Sequence, residues 1–245
     1  MTPVERERVC MFHIGRSGST VLADMLKHHP RIAWDGEVFA PTARKWRPGI
    51  SPSSLLRERA GMVGDKIYGL EFKFFHSRLI GLSMVEVIHL LEQLGFRKYV
   101  ILKRRNYLRK IVSSLIAQKT KVWHLPNGKQ PNLVPITINV AGLRVESTEP
   151  ERTLLQYLET YESEFAELDR LLNRQAVLRL TYEDDIEKDP AIGYRKACDH
   201  IGFKARSAPV RLTRTTPYPL KDVIANFDEV EAELAGTPFS WMVNE

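Results

Sequence analysis

Apolar and polar positions along this chain switch repeatedly between strand-like and helix-like spacing. "VCMFHI", Val9 to Ile14, is a short apolar run with a β-branched residue at each end, which predicts a buried strand. From Ser19 to His29, Leu22, Met25, Leu26 and His29 fall on one helical face, and Pro30 stops the helix. "YGLEFKFF" (Tyr68 to Phe75) predicts a second strand, followed by a helix around Ser83 to Leu94. "KYVILKR" predicts a third strand, and "NYLRKIVSSLIAQK" a helix capped by Asn106. Leu154, Leu158, Tyr161, Phe165, Leu168 and Leu172 step by four and three, the mark of a long one-faced helix opening at Thr148-Glu149-Pro150. "AVLRLTY" adds a strand and "PAIGYRKACDHIGF" a helix. After the loop "RLTRTTPYP", a last helix is expected from about Leu220 to Leu234.

Strands alternating with helices imply βαβ units and a mostly parallel sheet in a single α/β domain covering residues 1–245. Two stretches interrupt the rhythm. Pro41 to Ser54 reads as a surface excursion or lid, and residues 121–148 as an irregular segment with a short β-excursion, "ITINV". The longest apolar stretch, "LIGLSMVEVIHLLEQLGF", carries Glu86, His89 and Glu92 at helical spacing, so it predicts an amphipathic helix and no membrane partner. Charge before the first apolar run argues against a targeting segment, and two widely spaced cysteines, Cys10 and Cys198, suggest free thiols; both point to a cytoplasmic protein. Thirty-six basic against thirty acidic residues give a net charge of +6, which suits an anionic ligand better than a nucleic-acid coat.

The candidate chemistry begins where the first strand meets the first helix, in "GRSGST". A turn at a helix N-terminus offers unpaired backbone N–H groups and the positive end of the helix dipole. Gly15 and Gly18 let the backbone approach an anion closely. Ser17, Ser19 and Thr20 add hydroxyls, and Arg16 a permanent cationic fork. The plainer alternative is a Ser/Gly turn with a solvated arginine. A second basic stretch, Lys103-Arg104-Arg105, precedes the Asn106 helix and places Ser113 eight residues beyond Arg105. Alone, it reads as a solvated basic patch.

Together, these stretches resemble the sulfotransferases that use 3′-phosphoadenosine-5′-phosphosulfate (PAPS), in particular their bacterial and carbohydrate-type members. "GRSGST" is similar to that family's 5′-phosphosulfate loop, with Gly15 where a proline is usual, and Arg105…Ser113 to its 3′-phosphate pair. "WDGEVF" (Trp34 to Phe39), "VLRLTYEDDIEKDPAIGYRKACDHIGF" and "RTTPYPLKDVIANFDEV" resemble further family segments. The resemblance implies a P-loop NTPase-like central parallel sheet flanked by helices, a phosphosulfate loop at 14–20, a 3′-phosphate segment at 103–114, and an acceptor side near 121–148. It implies PAPS as co-substrate and PAP as product, without metal. Arg16 would meet the leaving phosphate, Arg214 would reach the 3′-phosphate, and Lys73 would serve the sulfuryl oxygens. The base is Glu37 on one alignment and His76 on another, and Asp35 lies close enough in sequence to exchange roles with Glu37. Tyr182 and Glu183 are candidates for shaping the nucleotide pocket, Trp123 and His124 for the acceptor side. His13, His28 and His29 read as packing or surface residues. The acceptor would be a hydroxyl on a sugar or small polar natural product, with an amine as the alternative.

Two rivals make different predictions. A P-loop kinase should carry Gly-Lys-Ser/Thr and an acidic Mg²⁺ ligand at a strand end, but the turn lacks the lysine. A non-catalytic nucleotide or nucleic-acid module would tolerate loss of Glu37 and bind with strong salt dependence.

Overall fold

The computed structural model describes residues 7–146 and 150–244. In chain order the elements are β1 (Arg8–His13), α1 (Ser19–Lys27), β2 (Ile32–Glu37), a 3₁₀ turn (Pro41–Ala43), α2 (Pro52–Gly61), β3 (Ile67–Lys73), α3 (Phe74–Ile80) and α4 (Met84–Gln93). They continue with β4 (Phe96–Lys103), α5 (Tyr107–Thr120), β5 (Leu125–Pro126), α6 (Leu154–Leu171), β6 (Ala176–Thr181), α7 (Tyr182–Asp185) and α8 (Pro190–Ile201). β7 (Leu212–Thr213), α9 (Leu220–Val223), α10 (Phe227–Leu234) and a 3₁₀ turn (Ser240–Asn244) close the chain. The chain divides into two compact units, one running to Lys103 and adding Ala166–Pro209, the other formed by Arg104–Phe165 and the residues from Val210 onward.

The first unit holds a five-stranded sheet in the order β2-β3-β1-β4-β6, with every pairing parallel. Val9, Cys10, Met11 and Phe12 are completely buried, as expected for a central strand covered on both faces. One face packs α1 and α8 through Leu22, Met25, Leu26, Ala197 and Ile201 against Met11, Val100 and Leu180. The other is aromatic, with Phe12 against Phe72 at 5.7 Å and against Tyr99 at 6.2 Å between ring centroids.

Several boundaries differ from the sequence reading. β2 and α2 were not expected; α2 starts within the last three residues of the supposed excursion, with Pro52 at its first turn and Ser51 as its cap. The strand expected to reach Phe75 ends at Lys73, because His76 Nδ1 accepts the Lys73 N–H at 3.1 Å and closes the first turn of α3. α3 and α4 are bent by 85° at the break around Gly81. Among the described residues, no single helix is long and apolar enough to cross a membrane.

In the second unit, Asn106 caps α5 as expected: its Oδ1 accepts the Arg109 N–H at 2.9 Å, and its Nδ2 donates to the Met242 carbonyl. α6 begins at Leu154, where Thr153 and Gln156 form a reciprocal capping box. Of the expected helix start, Thr148 and Glu149 lie outside the described residues. "ITINV" contributes a single bridge, Ile136 to Ile224. That pairing also breaks the expected C-terminal helix, since Ala225 donates to the Ile136 carbonyl and Asn226 bonds both backbone groups of Ile138.

Candidate functional site

In the first unit, β1, β2 and β3 run parallel, so His13, Glu37 and Lys73 end on one edge of the sheet. The chain leaves β1 toward one side of the sheet and enters β6 from β4 on the other. The loop after β1 therefore sits at the topological switch point, where open α/β sheets bind ligands.

That loop is backbone-strained and polar. Gly15 (φ 76°), Arg16 (φ 52°) and Gly18 (φ 80°) all adopt the left-handed region, uncommon for an arginine. Gly18 caps α1 with no side-chain cap bond among the described residues, and no acidic residue stands in the first turn. The orphan N–H groups of α1 therefore lack a capping carboxylate or hydroxyl. Ser17 is completely buried, and its Oγ has no hydrogen-bond partner among the described residues. A buried hydroxyl left without a partner costs about 1–3 kcal/mol, which makes Ser17 a candidate contact for a ligand in this strained loop. Arg16 is half-buried, as are Gly18 and Thr20, while Gly15 and Ser19 are buried. Tyr182 and Ile186 wall this loop: a Cβ on Gly18 would stand 2.5 Å from Ile186 Cγ2 and 3.1 Å from Tyr182 Cδ2.

Glu37 reaches the same edge through a bulge. Trp34 pairs with Gly69 and Glu37 with Glu71, so three steps along β2 match two along β3, and the extra residue is absorbed at Gly36 with φ 72°. In an unbulged strand, residues three apart face opposite sides of the sheet. Here Trp34 and Glu37 both attend Glu71. Trp34 Nε1–H donates to Glu71 Oε1 at 3.1 Å, and His13, Glu37 and Glu71 bring ligand atoms within 4.8 Å of one another. Trp34 lies so close over Gly69 that a Cβ there would meet its ring at 2.4 Å.

Lys73 Nζ pairs with Glu37 Oε2 at 2.9 Å, and His76 Nε2 lies 3.9 Å from the same oxygen. His76 is fully buried, and its Nδ1 is taken by the Lys73 N–H. The proton of the neutral ring is therefore on Nε2, which leaves no nitrogen able to accept one. Burial, then the charge of Lys73, pushes its pKa well below the ordinary 6.5. Glu71 is also buried. Burial alone would raise its pKa, but the His13 imidazole 3.3 Å away, the Trp34 hydrogen bond and the Lys73 charge outweigh it, and the carboxyl titrates below its ordinary value.

Asp35 is engaged elsewhere. It accepts from Arg59 Nη2 at 2.6 Å, Lys45 Nζ at 2.8 Å and Tyr68 O–H at 2.8 Å, as well as from Arg59 Nε. Burial opposes ionisation there, but these donors hold its pKa below the usual carboxylate value. Asp35 thus ties the segment between β2 and β3 to the sheet, unlike the exchangeable role expected for it.

The structure gathers Gly15, Arg16, Ser17, Gly18, Ser19, Thr20, Glu37, Lys73 and His76 in the first unit. Arg105, Ser113 and Arg214 belong to the second. There Arg105 is exposed immediately before the Asn106 cap, Ser113 is buried within α5, and Arg214 is exposed after β7. Trp123 is partly exposed beyond α5. Three residues of the first-unit cluster were not singled out as functional: Trp34, Glu71 and His13, the last read as a packing or surface residue. They lie far apart in sequence, and only the strand register joins them.

His13, Glu37 and Glu71 could together ligate a cation, but the protein already compensates both carboxylates, Glu37 with Lys73 and Glu71 with His13 and Trp34. The arrangement can bind an anion in the loop and place a carboxylate–ammonium pair on the same sheet edge. A scan against protein-family models and a search of curated proteins return no match to this chain.

Proposed function

We propose that this protein is a sulfotransferase that moves the sulfuryl group of PAPS to a hydroxyl of a small polar acceptor, with its sheet built in the P-loop NTPase-like manner. The observation that carries the reading is the loop after β1: a strained arginine, a buried Ser17 hydroxyl without a partner, and an uncapped helix N-terminus at the switch point. A loop of this kind suits a phosphate or phosphosulfate without a lysine finger or metal.

In this reading the acceptor oxygen attacks sulfur in line, and the bond from sulfur to the phosphate oxygen breaks. Glu37 takes the acceptor's proton. Charge growing on the departing phosphate is met by Arg16 and the N–H groups opening α1. Lys73, 2.9 Å from Glu37, orients that carboxylate and supplies positive charge for the sulfuryl oxygens. His76 is a helix cap and not the base, because its accepting nitrogen is already used. Arg105, Ser113 and Arg214 are assigned to the 3′-phosphate by the family resemblance.

Thermal shift with PAP, compared with ADP and with Mg-ATP, tests this. Stabilisation by PAP without metal, lost in Arg105→Ala, supports the reading. Equal or greater stabilisation by Mg-ATP overturns it in favour of a kinase.

A further inference from the structure

Gly15 N–H, in the middle of the anion loop, donates to His13 Nδ1 at 3.0 Å. The opposite nitrogen of that imidazole, Nε2, lies 3.3 Å from Glu71 Oε2, somewhat off the hydrogen-bond line. The other Glu71 oxygen accepts from Trp34 Nε1–H. His13 is completely buried, and Glu71 and Trp34 are nearly so. This is a continuous chain of polar groups from the loop, across the ends of β1 and β3, to the bulged strand that carries Glu37.

We propose that His13 is a positioning residue: Glu71 fixes its Nε2–H tautomer, and the bare Nδ1 then holds Gly15 and shapes the anion loop. The logic is one of donors and acceptors. Gly15 N–H and Trp34 N–H can only donate, so the groups between them must accept at both ends. A carboxylate at position 71 has an acceptor for each neighbour and favours the ring proton on Nε2. A carboxamide accepts at one end only. With Gln in place of Glu71, a donor must face a donor at Trp34, at His13 or, if the ring tautomer flips, at Gly15. In this buried setting none of these is relieved by solvent. Because Trp34 and Glu37 flank the same bulge, the chain also keeps the loop and the proposed base in mutual register.

This inference rests on the anion-loop reading above, and the test separates the two. Wild type, Glu71→Gln and His13→Asn are compared for PAP affinity by calorimetry, for melting temperature, and for the His13 ring nitrogens by ¹⁵N NMR. The asparagine Oδ1 stands where His13 Nδ1 accepted the Gly15 N–H, so His13→Asn should bind PAP nearly as wild type does. Glu71→Gln should lose about tenfold in affinity, as expected for one buried donor left facing another. Wild-type His13 should show a protonated Nε2 and a bare Nδ1. A proton on Nδ1 in the wild type, or wild-type affinity in Glu71→Gln with an unchanged tautomer, overturns the proposal. If Glu71→Gln does not fold, the wild-type tautomer and the His13→Asn affinity decide. If wild type does not bind PAP, the functional reading fails, while the tautomers of wild type and Glu71→Gln still judge the coupling.

Discussion

Lys73 Nζ and Glu37 Oε2 stand 2.9 Å apart at the ends of two neighbouring parallel strands, with neither side chain fully withdrawn from solvent. A lysine at a strand end and a carboxylate after a bulge are thus brought into one ion pair on the edge of the sheet that carries the loop after β1.

Glu37→Gln should therefore leave PAP binding intact and lower turnover by about a hundredfold or more, the usual cost of removing a general base. PAP release from PAPS in an acceptor screen, set beside PAP calorimetry, measures both. Undiminished turnover would remove Glu37 from the mechanism.

Arg16 holds φ at 52°, which glycine adopts without strain. Arg16→Gly should leave folding stability unchanged or raise it by about 1 kcal/mol, while PAP affinity falls by about tenfold or more. Opposite movement of melting temperature and affinity would separate a binding role from a structural one. A matching loss in both would show that the arginine serves the fold.

Gly18→Ala should destabilise by about 1–3 kcal/mol, since its φ is 80° and the new methyl would sit 2.5 Å from Ile186 Cγ2. Chemical denaturation measures the loss. Ile186→Ala in the same chain should recover the steric share and leave the backbone share.

Stability should fall as pH drops below about 6.5. The unfolded chain protonates His76 near the ordinary value of 6.5, while burial and the charge of Lys73 keep the folded residue neutral well below it. The unfolded state then binds more protons, so this contribution is present above 6.5 and is lost as pH falls, at about 1.4 kcal/mol per pH unit for one group. His200, lowered chiefly by burial, acts in the same direction. Melting curves from pH 8 to 5 should show the slope, and His76→Asn, which keeps an acceptor for the Lys73 N–H, should flatten it. An unchanged slope in that variant would assign the effect elsewhere.

What the sequence made legible followed from periodicity. β1, β4, β6, α1 and α5 were readable because buried central strands and one-faced helices leave strong local patterns. β2 was not, because "IAWDGE" mixes a bulging glycine with two acids. The β3–α3 boundary was hidden within an unbroken apolar run, and only the His76–Lys73 bond marks it. At the site, the loop residues stood out by type and spacing, and Glu37 through the resemblance of "WDGEVF" to a family segment. Glu71 did not: alternation alone places an acid in a strand, and its partners His13 and Trp34 are distant in the chain. Asp35 and Glu37 looked interchangeable two residues apart, until Arg59, Lys45 and Tyr68 claimed the first and Lys73 the second.

The bulge at Gly36 makes residue count, and not only residue type, a determinant of the site. Inserting one further residue between Trp34 and Glu37 would remove no proposed functional side chain, yet it would shift the strand's parity by one and turn the carboxylate of Glu37 to the far side of the sheet. A chain lengthened by that one residue would keep its arginine loop, its lysine and its glutamate, and would hold the proposed machinery in inventory only.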